Sequence, residues 1–283
     1  MYKNKAILSL LLLLSFNPAH AEEDSNNGGY SYFRFGFEDV TYKENTREVK
    51  SSARALSPVL NSGGLNVIND SFDFSIDSLA TFSPGKTDET WYWNGSKLRE
   101  NKYQYVRAAT NILLHYKMTP EWRLAIGPSF SYQTYKRFGQ ERNDAKNEDY
   151  HDFYQGTFEE TSTDIFIDAG FIYDTGSLNN ESPWQYQFRA LVGAPIWSYT
   201  TNTAEHLGDL KFDESGYRAN LETGIAYRVL KGVSLGVFAS AGYEKRLSSN
   251  AEIIKVDGKR YRAVIPEADT LSYSAGLQLL WKL

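Results

Sequence analysis

The chain contains no cysteine, which excludes disulfides, thiolate metal ligation and cysteine nucleophiles. It has only four histidines, and no His-x-His spacing that suggests a metal centre. No serine nucleophile elbow, glycine-rich phosphate loop or paired-metal motif occurs, and no cofactor is implied. Basic runs are missing too. The formal net charge is −5, about −7 once Lys3 and Lys5 leave with an N-terminal leader, so nucleic acid is a poor candidate partner. Beyond that leader no apolar stretch is long enough for a transmembrane helix.

The leader itself is recognisable. Lys3 and Lys5 precede an apolar run, Ala6 to Phe16, broken only by Ser9 and Ser15. Ala19-His20-Ala21 forms a small-residue cleavage site before Glu22-Glu23-Asp24. Residues 1–21 are expected to be a secretory signal peptide, 22–29 a flexible leader, and 30–283 a single domain. Aromatics are abundant at 15%, while mean hydropathy is only −0.49. Exported chains that are hydrophilic on average yet rich in aromatics include β-barrels, whose strands show lipid only every second residue.

Period-2 alternation recurs along the chain. In 217–229, Tyr217, Ala219, Leu221, Thr223, Ile225, Tyr227 and Val229 oppose Arg218, Asn220, Glu222, Gly224, Ala226 and Arg228. In 122–138, Trp122, Leu124, Ile126, Phe130 and Tyr132 oppose Arg123, Ser129, Ser131, Gln133 and Arg137. Residues 184–198 and 233–247 behave alike, and 30–44, 46–60, 66–83, 103–118 and 158–174 follow more loosely. A helix would mix these sets on every face. With the final segment, ten strands are expected, with eight or twelve as alternatives.

That final segment is the sharpest. Leu271, Tyr273, Ala275, Leu277, Leu279, Trp281 and Leu283 share one face, against Ser272, Ser274, Gly276, Gln278 and Lys282, with Leu280 as the exception. Ser274, Gly276, Leu279 and Trp281 fit a polar-x-Gly-x-x-apolar-x-aromatic pattern. The chain thereby resembles bacterial outer-membrane β-barrels, small porin-like or omptin-like ones. The resemblance implies an all-β up-and-down antiparallel barrel in the outer membrane. It also implies outer-membrane lipid, lipopolysaccharide and the barrel-assembly machinery as partners, with an extracellular ligand or surface partner possible in addition.

Connections fit the same plan. Asn61-Ser62-Gly63-Gly64, Thr119-Pro120-Glu121, Thr175 to Pro183 and Lys231-Gly232 read as short turns, and 84–102, 139–157, 202–215 and 250–268 as long outer loops. The first outer connection, near Asn45, is expected to be short. On the apolar face Tyr116, Trp122, Tyr173, Trp184, Tyr227 and Trp281 lie beside the short turns. Tyr132, Tyr217, Tyr243 and Tyr273 lie toward the long loops. The ten-residue spacing from Trp122 to Tyr132 corresponds to roughly 25 Å, the height of an outer-membrane apolar band. The opposite face should line the lumen with Arg34, Glu38, Arg54, Asp73, Asp77, Arg107, Arg123, Asp164, Asp168, Arg189, Arg218, Glu222 and Arg228. In a barrel this small such a network either plugs the interior or lines a narrow conduit.

Of the histidines, His115 falls on the predicted inward face, and His151 and His206 in long loops. Omptins, the outer-membrane proteases, carry an Asp-x-His pair in the fourth outer loop and an acidic pair in the second. Here Glu205-His206 and Asp88-Glu89 stand in those loops, the latter before Trp91 and Trp93, while Ala204 takes the position of the omptin Asp. The resemblance therefore offers an alternative function, a hydrolase acting through Asp88, Glu89, Glu205 and His206. The primary expectation is a non-enzymatic structural or surface-interaction protein, or a narrow channel.

Overall fold

Antiparallel strands close on themselves. The structure is a computed structural model and describes residues 29–45, 49–82, 85–142, 158–175, 182–204, 208–213, 215–256 and 259–283. The signal peptide and nearly all of the leader, with His151, Glu205 and His206, lie outside the described residues. The strands are β1 (Tyr30–Asn45), β2 (Val49–Val67), β3 (Phe72–Phe82), β4 (Thr87–Trp93), β5 (Ser96–Lys117), β6 (Trp122–Arg142) and β7 (Phe158–Asp174). They continue as β8 (Trp184–Ala204), β9 (Gly208–Asp213), β10 (Gly216–Leu230), β11 (Val233–Arg246), β12 (Glu252–Val256), β13 (Lys259–Ala263) and β14 (Glu267–Lys282). Around the wall the order is β1-β14-β11-β10-β8-β7-β6-β5-β3-β2, closed by β1 against β2. β4 continues the position of β3 between β2 and β5, and β9 continues that of β10 along β8. Ten wall positions result, an all-β antiparallel barrel in which no long edge is left unpaired. No described helix is long and apolar enough to cross a membrane.

The outer surface explains where the barrel sits. Phe35, Leu114, Ile126, Phe171, Val192 and Leu277 all point outward and are exposed, Leu277 to 67% and Val192 to 64%. A continuous apolar belt of this kind is unsustainable in water and normal in lipid. The protein is an integral outer-membrane β-barrel. Aromatic pairs from adjacent strands edge the belt toward the short turns: Trp122 and Tyr173 at 5.1 Å, Trp184 and Tyr227 at 5.0 Å, Phe72 and Tyr116 at 5.6 Å. Toward the other end Tyr217 stands 6.1 Å from Tyr243 and Trp197 stacks on Tyr199. Tyr273 is exposed there, and Tyr132 is half-buried. Leu280 turns inward and is buried with Tyr30, Tyr32, Leu65 and Ala226.

Several expected connections fall elsewhere. Residues 61–64 lie inside β2, and the turn follows at 68–71, where Asn69 Oδ1 accepts the backbone N–H groups of Ser71 and Phe72. Gly63 is there for contact rather than for turning, since a Cβ on it would lie 2.6 Å from the Ile76 carbonyl. The stretch 84–102 is mostly strand. β4 and β5 meet at Asn94-Gly95, with φ of 46° and 81°, the two positive values a tight hairpin turn requires. Likewise 250–268 contains the β12–β13 hairpin, and 202–215 the end of β8 with β9. Prolines within strands sit where a ladder breaks. Pro58, Pro128 and Pro195 are each paired on one side only, as a residue without an N–H must be. At Pro195–Ile196 the β7–β8 register also slips, so that Trp197 and Tyr199 take over the outward positions.

Candidate functional site

Strand alternation places every other side chain in the lumen, and sequence chemistry makes that set charged. The inward cations are Arg34, Arg99, Arg107, Lys117, Arg123, Arg137, Arg189, Arg218, Arg228, Arg246 and Lys282. They are equalled in number by Glu38, Glu44, Asp73, Asp77, Glu89, Glu160, Asp164, Asp168, Asp174, Glu222 and Glu244 among the described side chains. Buried charge of either sign is costly unless paired. A balanced set is therefore what a closed interior needs.

The contacts fall into layers. Nearest the short turns, Asp73 is fully buried between Arg123 (2.7 Å) and Lys117 (2.8 Å). His115 Nε2 meets Ser75 Oγ at 2.9 Å, a hydrogen-bonding role in the wall of the lumen. Arg228 donates to the Ser182 carbonyl at 2.5 Å. In the middle, Arg34 crosses the lumen to Gln187 and Glu222, each at 3.1 Å, and its guanidinium lies 4.5 Å over the Tyr32 ring. Arg189 pairs with Asp77 at 2.9 Å, and Arg218 grips Asp168 with two bonds of 3.0 and 2.5 Å. Asp168 also accepts from Ser129, and Asp164 from Ser198. Arg107 lies 3.7 Å from Glu38. One expected lumen residue is not there. Arg54 points outward and pairs with Asp39, because β2 enters its ladder with Ala53 and Ala55 facing in.

A second network lies beyond the aromatic rim, where strands outgrow the belt. Arg137 joins Glu89 (2.8 Å) and Glu44 (2.9 Å), and Asn101 donates to Glu89 at 2.8 Å. Arg246 reaches Glu160 at 2.5 Å and the Tyr42 hydroxyl at 3.1 Å. Tyr42, Tyr103, Tyr105 and Tyr135 pack in the centre, with Tyr42 and Tyr135 centroids 4.4 Å apart. Trp91 faces into this cluster, donating to Asn101 at 2.7 Å beneath the Arg99 guanidinium. Burial alone would raise the Glu44 carboxyl, but Arg137 and Arg246 outweigh it and hold the group below its ordinary value of 4.5.

Of the proposed hydrolytic residues only Asp88 and Glu89 fall among the described residues, and they do not share a face. Asp88 is exposed on the outer face with Lys102 at 2.5 Å, whereas Glu89 points inward and is spent on Arg137. Neighbours on an extended strand diverge in this way, so no carboxylate pair faces the barrel mouth from β4. Among the described residues no cluster of acids and histidines could hold a metal ion. Sequence reasoning missed the rim network of Tyr42, Glu44, Glu160 and Arg246. In 96–103 only Leu98 and Tyr103 interrupt the polar residues, one in each alternating set, so apolar alternation gives no signal there; the Asn94-Gly95 pair was the legible clue.

No protein-family model matches the sequence, and no curated protein matches it. Among solved structures, the outer membrane protease OmpT from Escherichia coli superposes with a TM-score of 0.62 at 8% identity, over 93% of this chain and 99% of that one. Neisserial surface protein A aligns with a TM-score of 0.33 at 13% identity, over 91% and 98% of the two chains. The Pseudomonas putida toluene transporter TodX aligns at 0.32 and 11%, over 99% and 93%. The likeness to OmpT establishes a shared barrel fold.

Proposed function

We propose that this barrel is a non-enzymatic outer-membrane scaffold, its lumen closed by paired charges and its working surface the extracellular rim. The observation that carries this reading is the balance of the inward charges, most of them paired with a charge of opposite sign inside the barrel. Two further features support it. The acid pair of β4 is split between opposite faces, and Ala204 stands where an omptin would have its Asp. A water-activating His–carboxylate couple needs both partners within hydrogen-bond reach, and fold likeness to a protease does not supply it. Secretion through removal of residues 1–21, folding by the assembly machinery through Ser274, Gly276, Leu279 and Trp281, and seating of the aromatic girdles among lipid and lipopolysaccharide headgroups belong to the same reading.

The test is cleavage of basic peptides by purified, lipid-reconstituted protein. None is expected, and His206→Ala should change nothing. Cleavage that disappears with His206→Ala would make the protein a hydrolase and overturn this reading.

A further inference from the structure

One contact in the lumen is made loosely. Glu38 and Arg107 approach only to 3.7 Å, beyond hydrogen-bond range, although Glu38 is 3% exposed. Glu38 Oε2, Arg107 Nε and Asn61 Oδ1 are buried without a hydrogen-bond partner. All three residues line a cavity of about 60 Å³ in mid-barrel. The other charged groups on its wall are already committed: Arg218 to Asp168, Arg34 to Glu222, Asp77 to Arg189.

We propose that this cavity binds a small zwitterion, an α-amino acid of about glycine's size, with its carboxylate on Arg107 and its ammonium on Glu38. Charge sets the class. The wall carries Arg34, Arg107 and Arg218 against Glu38, Asp77 and Glu222, so a simple anion would face Glu38 uncompensated and a simple cation would face Arg107. A molecule bearing both signs satisfies both open valences at once, and Asn61, Asn111 and Asn220 add neutral donors and acceptors around it. Size sets the limit. At roughly 10–15 Å³ per water-sized group, the space takes about four to six such groups, and glycine has five non-hydrogen atoms.

Equilibrium binding of radiolabelled glycine to the lipid-reconstituted full chain tests the proposal. Saturable binding is expected, with no competition by acetate or methylammonium, each of which carries only one of the charges. Glu38→Gln and Arg107→Gln should each weaken it at least about tenfold, the loss of one charge-assisted hydrogen bond, while Lys50→Gln leaves it unchanged. Absence of saturable binding, which would mean a cavity holding water only, overturns the proposal. So does equal competition by acetate or methylammonium, or unchanged binding in a Glu38 variant that keeps native gel mobility. Should that variant fail to assemble, Asn61→Leu, which fills the cavity without adding charge, should abolish binding; binding retained in it also overturns the proposal.

Discussion

The same strands obey opposite rules below and above the upper tyrosines. Within the belt, apolar residues such as Phe35 and Leu277 face out and charges such as Arg34 and Arg218 face in. Above it, charges face out as ion pairs, Lys102 with Asp88 and Lys136 with Glu159. A tyrosine cluster laced with Arg137 and Arg246 fills the inside. Solvent explains the inversion. Lipid accepts only apolar side chains, so the belt must put its polar groups in the lumen and pair them there. The rim has water outside, and can use an aromatic centre as an ordinary soluble domain would.

The largest effect expected from breaking this pattern lies in the closing strand. Gly276 faces Gly36 across the β1–β14 ladder, and a Cβ on it would lie 2.1 Å from the Phe35 carbonyl and 2.8 Å from the Phe238 ring. Gly276→Trp should therefore abolish assembly, read as loss of the heat-modifiable gel band and of outer-membrane recovery. Normal recovery of that variant would show that β14 does not close the barrel as described.

Next in size is the rim. Arg137→Ala leaves Glu44 and Glu89 buried without their main cation, a loss of about 3–5 kcal/mol, while the belt beneath keeps its own pairs. Limited proteolysis should then open the rim and spare the belt, and uniform loss would mean that the two regions are one cooperative unit. The two outer faces can be compared directly. Leu277→Arg, near the middle of the belt, should cost about 2–4 kcal/mol of stability in lipid. Ser52→Arg on the outward face of the rim should stay within about 0.5 kcal/mol. Urea titration in vesicles distinguishes them, and equal costs would contradict the placement of the belt.

The smallest expected effect is in pH. The folded Glu44 carboxyl is held below 4.5, so the stability it adds is present above the unfolded carboxyl value. It is lost as pH falls through the depressed folded value. Rim opening should set in below about pH 4.5 in the native chain, and Glu44→Gln should remove that limb. A native rim that is no more labile at pH 3 than at pH 7 would contradict the assignment.

Legibility in the sequence follows the same division. The belt could be read because lipid on one side and water or paired charge on the other enforce period-2 alternation, as in 122–138 and 217–229. The final strand, with Leu280 as its odd member, was clearest of all. Above the belt the outward face turns polar, alternation fades, and 84–102 reads as a loop although it is hairpin. Gly63-Gly64 misled in the opposite sense: the pair looks like a turn, yet it serves close packing of β2 against β1 and β3. Arg54 misled because an arginine in a barrel strand suggests the lumen, whereas this one pairs with Asp39 on the outer face. Which charges would meet across the lumen was illegible, because contacts such as Arg34 to Glu222 join residues far apart in sequence, on strands that are not neighbours.

The lumen is where a closed scaffold and a channel differ most directly. Purified protein in a planar bilayer should give no steady current, because most inward carboxylates and arginines are paired with one another inside the barrel. A stable, ion-selective conductance from the unaltered chain would contradict the closed lumen and establish a channel in its place.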